Sequence, residues 1–181
     1  MRALMKIRAR VGVISAFAVT ALLGCGGGGE TIKVETVDAA PSKRDYIVAA
    51  DTICINSEQG IRTEAEIRFK LGADDFTISP TGEVSFKPGR RPSDAEIQRF
   101  GERVVVPAFR GQVADLRGLT PPEGDRAAVE AIYAAAERGI DELEADSALF
   151  LDSAAVRERL SEARRLGRRY GFFNCGTYSA P

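Results

Sequence analysis

A chain of 181 residues, 44% of them hydrophobic, can build one domain with a real core and is too short for two comfortable ones. It has no His, and its only methionines are Met1 and Met5, so the remainder lacks the side chains that carry most acid–base catalysis near neutral pH and much transition-metal ligation. Residues 1–24 hold four of the 25 basic residues and none of the 26 acids, so the rest carries 21 against 26, a net of −5, a balance unsuited to holding nucleic acid.

Arg2, Lys6, Arg8 and Arg10 precede an apolar run, Val11–Leu23, which ends in Leu22-Leu23-Gly24-Cys25. About thirteen apolar residues fit the core of a signal peptide and fall short of the roughly 20 that cross a bilayer as a helix. Leu22-Leu23-Gly24-Cys25 resembles the lipobox of bacterial lipoproteins, which implies cleavage before Cys25 and lipid on its thiol; Leu23 stands where Ala or Ser is more usual. The alternative is an ordinary signal peptide cut nearby, with Cys25 free or disulfide-bonded. The tetraglycine Gly26–Gly29 favours the anchor, because four glycines serve no packing but make a flexible stalk. Residues 1–24 therefore read as a leader and 25–42 as a tether reaching roughly 20–25 Å as a coil. The expected location is extracytoplasmic, on the cell membrane through lipid on Cys25.

A helical domain is expected over 43–176, followed by a short tail, 177–181. Tyr46, Ala50, Ile53, Cys54, Ser57, Ile61, Ala65 and Phe69 recur at steps of three and four, the spacing of one helix face, after Ser42 as N-cap. The rhythm breaks over 72–92, where Phe76-Thr77-Ile78-Ser79 and Glu83-Val84-Ser85-Phe86 alternate about Pro80-Thr81-Gly82, the pattern of a short β-hairpin. Phe76, Ile78, Val84 and Phe86 would share one face, a candidate interaction surface carried on a rigid scaffold. A second helix starts at the capping box Ser93-Asp94-Ala95-Glu96 and contains Pro107, which predicts a kink or a split. After Pro121-Pro122, with Asp125 as a cap, a third helix carries Val129, Ile132, Tyr133, Ala136, Ile140 and Leu143. Ser153 opens a fourth, and Gly171 is a C-cap candidate. Four amphipathic segments with mostly short connections predict an all-α fold, an antiparallel four-helix bundle with a β-hairpin inserted between helices 1 and 2.

The third helix, 125–146, carries seven acids and two arginines; the fourth, 153–170, carries six arginines and two acids. The simplest account is that the two are neighbours whose flanks attract. Arg164, Arg165, Arg168 and Arg169 are also candidates for contact with anionic lipid headgroups beneath the anchor. Asp141, Glu142, Glu144 and Asp146 lack the alternating-oxygen loop of a calcium site, and a di-iron bundle requires His. No nucleophile elbow occurs. The expectation is a domain that is not an enzyme and holds no metal or cofactor.

With Cys25 taken by lipid, Cys54 and Cys175 remain as an even pair in an oxidising compartment. In an up-down-up-down order the end of the fourth helix returns beside the first, which predicts a Cys54–Cys175 disulfide rather than two free thiols. Tyr46-Ile47-x-x-Ala50-Asp51-x-Ile53-Cys54, with Ala163, Arg169-Tyr170-Gly171 and Cys175-Gly176, resembles small helical lipoproteins of actinobacteria. The resemblance implies a helical domain with a terminal cysteine pair and implies no activity. The expected function is a non-catalytic module engaging an envelope protein or cell-wall component. The alternative is a carrier or sensor of a small apolar ligand held inside the bundle. Cavity volume separates the two. Phe100, Phe109, Tyr133, Tyr170, Phe172 and Phe173 are bulky enough to predict a filled interior.

Overall fold

In the computed structural model the described residues are 40–72, 74–78 and 83–175. The leader, Cys25, the glycine stretch, the hairpin turn at 79–82 and the tail lie outside them, so the anchor and tether expectations are carried by the sequence alone. The described chain belongs to one compact unit, residues 38–181, mostly helical with a two-stranded antiparallel sheet.

Helix α1 spans Lys43–Phe69. It starts where Ser42 Oγ accepts the Asp45 amide at 3.2 Å and stops at Lys70, whose left-handed backbone (φ 52°) turns the chain out. Strands β1 (Phe76–Ile78) and β2 (Val84–Phe86) pair Phe76 with Phe86 and Ile78 with Val84. Such a hairpin is barely stable alone and needs a support. Arg90 supplies part of it, donating to the Lys70 carbonyl and to Asp75, each at 2.7 Å, so the hairpin base is tied to the end of α1.

Helix α2 (Asp94–Phe100) carries the capping box: the Ser93 amide donates to Glu96 at 2.9 Å. It runs through a π-helical turn, Gly101–Val105, into α3, Val106–Arg117. The turn precedes Pro107, which cannot donate to Arg103; widening the helix there lets the Val106 amide reach Gly101 instead. Gly101 has a second reason to lack a side chain, because a Cβ there would lie 2.1 Å from the Phe150 ring.

Helix α4 covers Arg126–Ala145, followed by a 3-10 turn at Ser147–Leu151, then α5 (Ser153–Arg159) and α6 (Ser161–Tyr170). The expected fourth helix is thus two pieces. They join at Leu160, where the Arg159 carbonyl approaches to 2.3 Å from where a Gly139 Cβ would stand. Ser153 opens α5, as its position predicts, and Asp152 caps it, accepting from the Ala154 amide at 2.7 Å. Asp125 makes no side-chain cap to α4; its carboxylate accepts the Tyr170 hydroxyl at 2.8 Å and pairs with Lys43 at 3.7 Å. Gly171 ends α6 with φ 115°.

Helix α3 packs against both α1 and α4, and α4 packs against α6. The core they enclose includes Ala50, Val113, Leu116, Val129, Ile140 and Leu143. Within it the Tyr46 hydroxyl meets that of Tyr133, which donates to the Leu116 carbonyl at 3.1 Å, so both buried phenols are satisfied. Burial holds both above the ordinary tyrosine range. Tyr46 also meets Tyr170 edge-on at 6.2 Å, and Lys43 sits 4.1 Å over the Tyr170 ring, so α6 ends beside the start of α1.

The acidic flank of α4 is neutralised mainly from α3, not from the arginine-rich fourth segment. Arg110 takes Asp141 and Glu144, Arg117 takes Glu137 and Glu130, and Arg159 reaches across from α5, to Glu142 at 3.2 Å. Helical sequence spacing shows that a flank is charged, not which neighbour faces it. These exposed pairs contribute under about 1 kcal/mol each.

Candidate functional site

Among the described residues lies an apolar cleft of about 980 Å³, at the upper end of the size range of small-molecule sites. One wall is the second half of α1, with Ile61, Ala65 and Phe69. The hairpin supplies Phe76, Val84 and Phe86, while Ile97, Phe100 and Phe109 come from α2 and α3. Phe150, Val156 and Phe173 complete it. Phe69 and Phe100 pack at 5.1 Å between ring centroids, and Phe76 and Phe86 at 6.2 Å. Phe100 and Phe173, expected to fill the interior, line a space instead, whereas Tyr133, Tyr170 and Phe172 are buried in the core, as is Phe109, which also borders the cleft.

Of the hairpin residues read as one surface, Phe76 is buried, with the Arg62 guanidinium 5.2 Å over its ring, and Phe86 is half-buried. Both line the cleft. Val84 lines it too and is 39% exposed. The Ile78 side chain lies outside the described residues. Ile55, Val84 and Phe173 are three of the five large hydrophobic side chains exposed among the described residues, and all three border the cleft.

At one side the cleft adjoins a recess of about 70 Å³; Glu58, Phe109 and Asn174 line both. Glu58 stands one helical turn beyond Cys54 on the inward stripe of α1, where the pattern calls for an apolar residue. It has no hydrogen-bond or ion-pair partner among the described residues, and burial pushes its carboxyl up to about 7. Gln112, from α3, also lines the recess and donates its amide to Cys54 Sγ at 3.0 Å.

Two devices place Phe173 and Asn174 there. Cys54 and Cys175 are joined by a disulfide, with Cα atoms 5.3 Å apart. Asp51, one turn earlier on α1 and almost fully buried, accepts the backbone amides of Phe173 (3.0 Å), Asn174 (2.9 Å) and Cys175 (3.0 Å). Sequence reasoning assigned Asp51 no role. The available signal was an acid between Ala50 and Cys54 on the buried stripe, which demands a partner.

The four arginines of α6 do not act as a set. Arg165 pairs with Glu162 on its own helix, and Arg164 is half-buried beside the recess. Arg168 and Arg169 are exposed at the helix end, beside the start of α1. Among the described residues no helix is long and apolar enough to cross a membrane. Comparison of the chain with protein-family models, curated proteins and solved structures finds no match, so its function has to be argued from the site.

Proposed function

We propose that this chain is an extracytoplasmic lipoprotein, held on the cell membrane through Cys25, whose domain binds a small apolar or amphiphilic molecule in the cleft beneath the hairpin without catalysing a reaction. The observation that carries the reading is the cleft itself: about 980 Å³ walled by aliphatic and aromatic side chains, with Ile55, Val84 and Phe173 exposed beside it. Exposed apolar side chains gathered at one opening mark a binding site. Absence of His from the sequence supports the non-catalytic part. We take the architecture to be an antiparallel four-helix bundle, with α2–α3 and α5–α6 each one interrupted helix. Contacts of α1 with α3, α3 with α4 and α4 with α6 support this. The second reading is a module that engages an envelope protein or cell-wall component through the hairpin, and exposed Val84 favours it.

N-phenyl-1-naphthylamine, a neutral apolar fluorophore, tests the ligand reading. The wild-type chain should bind it with a Kd in the micromolar range, and Ala65→Trp, which projects an indole into the cleft, should weaken binding roughly tenfold, a change of about 1.4 kcal/mol. Comparing two chains that differ only at residue 65 cancels dye taken up by the leader. Equal binding by a folded Ala65→Trp variant would count against the cleft.

The anchor carries its own expectation. Cys25→Ser should abolish the lipid-mass increment on the mature N-terminus and release the protein from the membrane fraction. A wild-type product without that increment refutes the anchor. Arg168 and Arg169 lie at the end of the domain where the tether joins α1, which supports their contact with anionic headgroups once Cys25 is inserted.

A further inference from the structure

The recess is where a ligand's head would be read, and its chemistry differs from that of the cleft. Its polar lining is Glu58, Gln112, Asn174 and Arg164. One acid and one base leave it without net charge. Gln112 gives one amide N–H to Cys54 Sγ, which leaves its second N–H as a donor and its carbonyl as an acceptor. Asn174 binds Asp51 through its backbone amide, so its carboxamide offers both a donor and an acceptor. Such a lining suits a group that donates and accepts hydrogen bonds and carries no charge, which is the description of a hydroxyl.

Resting on the ligand reading above, we propose that the recess beside Glu58, Gln112 and Asn174 receives the neutral hydroxylated head of a monoacylglycerol-type lipid, whose acyl chain lies in the apolar cleft. Size agrees. About 70 Å³ has room for roughly five water-sized groups, enough for a glycerol head and too little for a phosphocholine. Charge agrees as well. A fatty-acid carboxylate placed against Glu58 would meet a like charge wherever Glu58 is ionised. Of the nearby cations, Arg62 pairs with Glu66 at 3.2 Å, Arg91 pairs with Asp94 at 2.7 Å, and Lys87 and Arg157 do not line the recess; Arg164 does line it and is matched there by Glu58, so a carboxylate head would give the recess a net negative charge. Burial of Glu58 keeps its carboxyl partly protonated near neutral pH, so it can serve as donor or acceptor to a hydroxyl.

Photolabelling of the full chain tests the assignment, with two probes that carry the same diazirine-bearing sixteen-carbon chain: a monoacylglycerol and the free fatty acid. Mass mapping of labelled peptides separates the cleft from the leader. The monoacylglycerol should label peptides containing Phe69, Phe100 or Phe150 roughly tenfold more than the fatty acid does. Glu58→Lys should reverse that preference. If Glu58→Lys does not fold, Glu58→Gln, which removes the charge and keeps the shape, should raise fatty-acid labelling severalfold. Equal labelling by the two probes, or a preference for the fatty acid in the wild type, overturns the head-group assignment and leaves the cleft reading standing. Absence of cleft labelling by either probe overturns both.

Discussion

Cys54→Ser should destabilise the oxidised domain by about 2–5 kcal/mol and lower its melting temperature by roughly 10–20 °C. The bridge closes a sequence separation of 121 residues, nearly the whole domain, so cutting it frees the unfolded chain from a long loop constraint. Cys54 is also 1% exposed, packed against core residues from α3, so the substituted hydroxyl enters a site built for sulfur. Cys175→Ser is milder on that second count, because Cys175 is half-buried. The double variant should cost little more than Cys54→Ser alone, since one bond is removed in every case. Urea denaturation of the three variants, with and without reductant, measures this. Reductant should shift the wild-type midpoint and leave the double variant unmoved. A wild-type midpoint insensitive to complete reduction would show that the bridge contributes nothing.

Asp51→Ala is expected to cost about 3–5 kcal/mol. Three backbone amides, of Phe173, Asn174 and Cys175, converge on the Asp51 carboxylate at 2.9–3.0 Å in a site that is only 8% exposed. Hydrogen bonds to a charged acceptor contribute about 1.5–3 kcal/mol each, and three that share one acceptor do not add in full. Asp51→Asn should fall between. One oxygen takes Asn174 and Cys175 and the other takes Phe173, so an amide can keep the first pair only by turning its NH2 toward the Phe173 N–H. Hydrogen exchange at residues 173–175 gives an independent readout, with protection lost in Asp51→Ala even while the disulfide holds the chain nearby. A loss under about 0.5 kcal/mol would place Asp51 among ordinary surface acids. Both substitutions should also weaken ligand capture, since they release Phe173 and Asn174 from the edge of the cleft.

The elements readable in advance were those determined within a few residues. The Ser93–Glu96 capping box, the alternation of 76–78 and 84–86, the interruption ahead of Pro107 and the left-handed Gly171 all follow from groups at most a turn apart. Cys54 and Cys175 were paired by parity plus the direction of the helices, a long-range inference that succeeded because few cysteines leave few choices. Division of the fourth helix at Leu160 was not readable, since its cause is the close approach to Gly139, on another helix. Nor was the neutralisation of Asp141 and Glu144 by Arg110, since every arginine in the chain looks equally eligible.

The candidate site divides along the same line. From the sequence come the apolar stripe of α1, the hairpin face of Phe76, Val84 and Phe86, and the aromatic content of α2. A hydrophobic period reports that a face leaves water, because burial is a property of each side chain. Whether opposing faces touch or stand apart depends on how backbones cross, which is decided by distant partners. Only the tertiary structure decided that Phe69, Phe100 and Phe150 wall a cleft, and that Glu58 borders it. Likewise Asp51 holds a segment 122 residues further along the chain, a contact with no local trace because each of its partners is a backbone amide that every residue but proline carries.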